Sequence, residues 1–297
     1  MKEIKGCGTA LITPFDNNSN VDYNTYRKLL RRQIENGIHF VVPLGTTGET
    51  PCLEDNEKLN LLEITVEEVG GRIPIVAGAG SNSTKHVIHN INIFGKLSID
   101  AFLIVNPYYN KPTQQGLINH FTAISKSTEK QIIMYNVPAR TSVNMTAETT
   151  LKLAELDNIK AIKEASSNYA QISEIIRNAP DGFSVLSGND DETLSLAATG
   201  ATGLISVASN IAPKLMSEFL IKLLNNEFEE ARALHHKLTP LFRNCFIESN
   251  PIPVKAGLHK LGLIENVLRA PLYPSLKKTL DIMEGTLKEL NLLECRN

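Results

Sequence analysis

The residues that could do chemistry begin with one lysine. Lys163 stands in Ile159-Lys160-Ala161-Ile162-Lys163-Glu164-Ala165-Ser166, a brief apolar run with Asp157-Asn158 before it and Ser166-Ser167-Asn168 closing it. Such a run reads as a strand. Alternate residues of a strand share a face, so Ala161, Lys163 and Ala165 point one way. A lysine between two alanines on an inward face has room to extend into a cavity. It also loses water there, which disfavours the ammonium form. A free lysine has a pKa of about 10.4, so at pH 7 only roughly one in two or three thousand is neutral. Lowering that pKa by ~3 units raises the neutral fraction about a thousandfold, for ~4 kcal/mol of differential solvation. The lysine then becomes a nucleophile able to attack a ketone and form a Schiff base. An edge lysine that snorkels to solvent would do none of this.

Other strand ends carry reactive types. Leu44-Gly45-Thr46-Thr47-Gly48-Glu49 flanks two hydroxyls with two glycines. That suits a tight loop whose N–H groups and hydroxyls converge on an anion such as a carboxylate. The plainer alternative is a glycine turn with a helix N-cap. Asn106-Pro107-Tyr108-Tyr109-Asn110-Lys111-Pro112, Tyr135-Asn136-Val137-Pro138-Ala139-Arg140-Thr141 and Ser187-Gly188-Asn189-Asp190 follow later runs. His86 and His89 lie three apart on a helical pattern without a third ligand type, and His235-His236 lacks metal spacing. Asp190-Asp191-Glu192 reads as the acidic start of a helix. No metal site is expected.

The elements that must position these residues recur in a rhythm. Apolar, β-rich runs cover Thr9–Thr13, Phe40–Leu44, Pro74–Ala79, Ala101–Asn106, Ile132–Asn136, Ile159–Glu164, Phe183–Ser187 and Gly203–Val207. Helical patterns lie between them, such as Leu59, Leu62, Val66 and Val69 behind Glu54 and Asp55, and a second from Thr146 through Leu156. The runs do not alternate cleanly between apolar and polar, as expected of parallel strands buried on both faces. Eight β-then-α units predict an α/β fold, a (β/α)8 TIM barrel, with a doubly wound sheet as the alternative. After Val207 only helical patterns remain: one stripe joins Phe228, Ala231, Leu234, Leu238 and Leu241, and another joins Leu276, Leu280 and Met283. Residues 1–225 are therefore predicted to form the catalytic barrel and 226–297 a helical C-terminal extension, broken at Asn250-Pro251-Ile252-Pro253.

A chain of 297 residues with 42% apolar and 21% charged residues has enough apolar sequence for a sizeable core. A net charge of −2 argues against a nucleic-acid or membrane-surface binder. Cys7, Cys52, Cys245 and Cys295 are scattered, which predicts reduced thiols and a cytoplasmic setting. The opening residues lack the apolar run of a signal peptide, and no stretch is long enough to span a bilayer.

Taken together, Gly45-Thr46-Thr47-Gly48-Glu49, Tyr135 through Thr141, Ile162-Lys163-Glu164-Ala165 and Asn250-Pro251-Ile252-Pro253-Val254-Lys255 resemble the dihydrodipicolinate synthases, a branch of the pyruvate-dependent class I aldolase (N-acetylneuraminate lyase) family. The resemblance runs in order along nearly the whole chain. It implies a TIM barrel with a helical extension, a homotetramer built from two tight dimers, and condensation of pyruvate with aspartate β-semialdehyde for lysine and diaminopimelate biosynthesis. It implies no cofactor beyond the Schiff base on Lys163. Residue by residue, Lys163 would condense with pyruvate and Thr46-Thr47 would hold its carboxylate. Tyr135 would move protons, and Thr47 would link it to Tyr109 of the neighbouring subunit. Arg140 would bind the semialdehyde carboxylate, and Gly188 and Ile205 would line the pyruvate end. Asn189 stands where the family commonly has aspartate. A related aldolase acting on sialic or sugar acids is the alternative, and Arg140 argues against it because a neutral polyhydroxy aldehyde has no carboxylate to bind. A non-catalytic, ligand-binding barrel would lack Lys163 or Tyr135. The family's feedback cleft for lysine would map to Thr50, Pro51, Asp55, Lys58, Asn82, His86 and Tyr108. It reads as degenerate, because His86 replaces a usual glutamate and Lys58 a usual histidine.

Overall fold

A computed structural model of the chain describes residues 2–293. Met1 and residues 294–297 lie outside them, and with these the expectation for Cys295 and the last residues of the predicted extension. The strands are β1 (Gly6–Ala10), β2 (Phe40–Val42), β3 (Val76–Gly78), β4 (Ala101–Val105), β5 (Gln131–Asn136), β6 (Ile159–Glu164), β7 (Ser184–Ser187) and β8 (Gly203–Ser206). All pair in parallel in the order β2-β1-β8-β7-β6-β5-β4-β3, and a parallel bridge from Val41 to Ile75 joins the two ends. The sheet closes into the predicted TIM barrel, with helices between the strands and further helices at the C-terminus.

Two side-chain layers follow from the pleat. Phe40, Val42, Leu103, Ile133, Tyr135, Ala161, Ala165, Leu186 and Ile205 fill the barrel interior. Val41, Phe102, Ile104, Ile132, Met134, Ile162 and Val185 face the surrounding helices instead. Burial on both faces explains why the runs show no clean alternation.

The first strand differs from expectation. Sequence predicts Thr9–Thr13, whereas β1 begins three residues earlier, at Gly6. Gly8 within this strand serves packing. A Cβ on Gly8 would stand 2.0 Å from the ring of buried Phe40. Only a glycine lets that ring cross the strand.

Glu54 and Glu57 close a capping box at the start of helix Asp55–Val69. Thr146 caps helix Ala147–Ala154. Helix Pro213–Leu224 packs against β1, and helices Phe228–Asn244, Ile252–Lys260 and Lys277–Glu289 follow. They share a core built on Leu238, Leu241, Val254, Leu258, Met283 and Leu287. Leu276 is not part of that stripe: it precedes its helix and is 67% exposed. No described helix is long and apolar enough to cross a membrane.

Candidate active site

The C-terminal strand ends open into a cavity of about 1430 Å³. Lys163, Tyr135, Thr46, Thr47, Arg140, Gly188 and Ile205 line it together. The pairing of β5 with β6 sets Tyr135 beside Lys163, and Nζ lies 4.2 Å from the centre of the Tyr135 ring. Lys163 is 6% exposed, and among the described residues no hydrogen bond or ion pair engages its amine. Burial pulls its pKa down to about 7; the charge of Asp190 pulls upward and that of Arg140 adds to the fall. Near neutral pH about half of the amine is therefore unprotonated and free to attack. Burial pushes the Tyr135 phenol the other way, up to about 12, so it keeps its proton and can donate it.

Small residues make the room. Gly188 donates its N–H to the Glu164 carbonyl at 2.7 Å. A Cβ there would stand 2.7 Å from Ala165 Cβ and 3.0 Å from Lys163 Cε. Ile205 is fully buried in the barrel interior.

Thr46 and Thr47 lie on a single 3-10 turn, Thr46–Gly48, which leaves the first N–H groups without partners inside the turn. The chain reaches that turn through Leu44 in the left-handed region, with φ of 58°. Gly78 of β3 permits this approach, since a Cβ there would stand 1.9 Å from the Leu44 carbonyl oxygen. Thr46 is exposed and Thr47 is buried. Thr13 Oγ1 donates to the Gly48 carbonyl at 2.7 Å and Thr50 Oγ1 to the Gly45 carbonyl at 2.9 Å. Arg140 sits in the short helix Pro138–Thr141, exposed at the cavity and without an ion-pair partner among the described residues.

Tyr109 stands apart. It is 89% exposed, with φ of 73°, and does not line the cavity. Among the described residues no hydrogen bond joins Thr47 to Tyr135 or to Tyr109; Thr47 Oγ1 instead accepts from Asn250 Nδ2 at 3.0 Å. Thr50, Pro51, Asp55, Lys58, His86 and Tyr108 line an arm of the same cavity, whereas Asn82 does not. Lys58 Nζ donates to Asp55 Oδ1 at 2.9 Å. Asn189 Nδ2 donates to Glu192 Oε2 at 3.0 Å.

Further residues bear on the site. Asp190, Asp191 and Glu192 form the expected acidic start, a 3-10 turn that leads into helix Thr193–Ala198, but Asp190 does more than begin it. Asp190 is 2% exposed, accepts from Ser206 Oγ at 2.5 Å and from the N–H groups of Val207 and Ala208, and acts electrostatically on Lys163. Its place directly after a strand end was the available signal. Asn250 lines the cavity at 6% exposure, and among the described residues its Oδ1 has no hydrogen-bond partner. Glu49 and Lys255 form a buried ion pair behind the threonine loop. His86 and His89 are exposed, and among the described residues no cluster of three or more His, Cys, Asp or Glu is arranged to hold a metal.

Comparison with known proteins gives the same picture along the chain's length. The model of the Dihydrodipicolinate synthetase family matches residues 3–290. The 4-hydroxy-tetrahydrodipicolinate synthase of Thermotoga neapolitana is 45% identical, over 98% of this chain and 100% of that protein. The crystal structure of dihydrodipicolinate synthase from Thermotoga maritima superposes with a TM-score of 0.96 at 44% identity, covering 98% of this chain and 100% of that one. A dihydrodipicolinate synthase variant described as the first monomeric one superposes with a TM-score of 0.95 at 44% identity, covering 97% of each chain. Barrel, lysine-bearing strand and full-length match therefore agree: the chain belongs to the dihydrodipicolinate synthetase family.

Proposed function

We propose that this chain catalyses the 4-hydroxy-tetrahydrodipicolinate synthase reaction, the condensation of pyruvate with aspartate β-semialdehyde in lysine and diaminopimelate biosynthesis. The observation that carries the reading is Lys163: a buried amine with a pKa of about 7, unengaged, in a cavity shared with a threonine loop and a free arginine. Neutral Lys163 adds to the ketone carbon of pyruvate and expels water, and the Schiff base loses a methyl proton to give the enamine. The enamine carbon attacks the aldehyde, whose oxygen takes a proton. The amino group of the semialdehyde then adds to the former ketone carbon, closes the ring and releases Lys163. Because the Schiff base itself accepts the electrons, the scheme draws on no metal or organic cofactor.

In this scheme Thr46 and Thr47 hold the pyruvate carboxylate, and Gly188 and Ile205 shape the space around it. Tyr135 donates and accepts protons beside the Schiff-base carbon, as its high phenol pKa suits. Thr47 accepts a hydrogen bond from Asn250 and keeps its own proton for a relay. We assign the far end of that relay to Tyr109 of a second copy; its 89% exposure in the single chain fits a residue that completes a neighbour's site. The proposed assembly is a homotetramer of two tight dimers. We take residues 1–225 as the catalytic barrel and 226–297 as the extension, and the cytoplasm as the setting. Arg140 takes the semialdehyde carboxylate in its planar fork. The test is a paired assay of pyruvate plus aspartate semialdehyde against pyruvate plus N-acetylmannosamine. Ring-closed product from the first pair supports the reading, and turnover of the second pair alone overturns it.

A further inference from the structure

The threonine loop has short-range bonds of its own, from Thr50 Oγ1 to the Gly45 carbonyl and from the Glu49 N–H to the Thr46 carbonyl, and Thr13 holds the Gly48 carbonyl, but none of these fixes the Glu49 side chain. Its turn is three residues long; Leu44, two residues before it, and Glu49, directly after it, have φ of 58° and 53°. Left-handed backbone is disfavoured for any residue with a Cβ and persists only where the surroundings impose it. At Glu49 the surroundings come from the other end of the chain. Its carboxylate is fully buried: Oε1 accepts from Lys255 Nζ at 2.5 Å, and Oε2 from the Arg269 backbone N–H at 3.0 Å. Lys255 is equally buried. It also donates to the Val267 carbonyl at 3.0 Å, and its ammonium lies 4.2 Å from the centre of the Phe15 ring. Arg269 is fixed in turn by a two-pronged pair with Glu57, at 2.6 Å for each prong.

A buried ion pair adds little net stability, because desolvation of both charges offsets most of their attraction. What this pair does provide is orientation. A carboxylate with both oxygens engaged on other segments cannot rotate, and the left-handed backbone of Glu49 is held with it. Thr47, two residues away, is tied by Asn250 to the same C-terminal segment. We propose that Lys255 is a positioning residue for the site: through Glu49 it holds the Thr46–Thr47 loop in the conformation that receives the pyruvate carboxylate. The inference rests on the function proposed above.

The harsh variant is Lys255→Met, which strands a charged Glu49 and can fail to fold. The informative one is Glu49→Gln with Lys255→Met, which removes both charges together. In the double variant KM for pyruvate rises about tenfold or more, the worth of a misaligned hydrogen bond to a charged group. Turnover per active site, counted by borohydride-trapped pyruvate, stays within about twofold. Amide hydrogen exchange over residues 45–50 rises about tenfold or more at the same time. Unchanged exchange over those residues overturns the proposal. An unchanged KM with fewer trappable sites overturns it too. If the unmodified protein captures no pyruvate, the functional reading fails, while the exchange measurement still decides whether Lys255 holds the loop.

Discussion

The pH dependence of pyruvate capture is the most direct consequence of the Lys163 environment. An ordinary lysine, with a pKa of about 10.4, gains about tenfold in neutral amine for each pH unit through the whole physiological range. Lys163 loses water inside the barrel, and its pKa falls to about 7. Its neutral fraction is then about a tenth at pH 6, a half at pH 7 and nine-tenths at pH 8. The rate of Schiff-base formation should rise about fivefold from pH 6 to 7, less than about twofold from 7 to 8, and then level off. Rapid mixing with limiting pyruvate, a borohydride quench and mass measurement would give the rate at each pH, with peptide mapping to show that the adduct is on Lys163. Because the Arg140 charge helps lower this pKa, Arg140→Ala should move the midpoint upward. A rate that climbs tenfold per unit up to pH 9 would refute the reasoning, since it would mean that the amine is solvated. So would an adduct on a different lysine.

The same burial has a cost in stability. The folded-state pKa of Lys163 lies below the unfolded value, so the unfolded chain holds more protons between pH 7 and about 10.4. The cost is about 5 kcal/mol below pH 7 and fades as pH rises through that window. Lys163→Met should therefore raise Tm by up to about ten degrees at pH 6 and by less near pH 10, by calorimetry; an equal shift at both would count against it. At pH 9, above the Lys163 midpoint, Arg140→Ala should spare pyruvate trapping but reduce kcat/KM for the semialdehyde about thirtyfold, the low end for a charge pair because Arg140 is exposed. Equal damage to both half-reactions would make Arg140 structural. Tyr109→Phe should leave the proposed dimer intact in ultracentrifugation and lower turnover by cutting the proposed relay; a fully active monomer would contradict the proposed shared site. Free lysine should inhibit weakly, with half-inhibition above the millimolar range in initial-rate titrations. In the proposed feedback cleft, the Lys58–Asp55 pair cancels much of the repulsion that a lone Lys58 would exert on the ligand, so the weakening would rest on the anion that the resemblance expects where His86 stands, about 1 kcal/mol in open water. Sub-millimolar inhibition would sink that expectation.

Local spacing determined a great deal here. Short apolar runs separated by helical stripes specify a parallel barrel, because both patterns reflect which faces must be buried within a few residues along the chain. Alternation about Lys163 put it between Ala161 and Ala165 on the inner face, and the strand ends named the threonine loop, Tyr135 and Arg140 as its company. What spacing could not supply depends on surfaces far apart in sequence. Nothing in the sequence marks Gly8 as a packing position until Phe40 is seen lying across the strand. Asp190 reads as one acid among three until packing buries it under the Ser206 hydroxyl and two backbone N–H groups. Glu49 and Lys255, 206 residues apart, carry no mark of being partners. The lowered pKa of Lys163 belongs to this second group. The sequence determined the direction of the side chain, but only the closed barrel removes the water that would otherwise keep it charged.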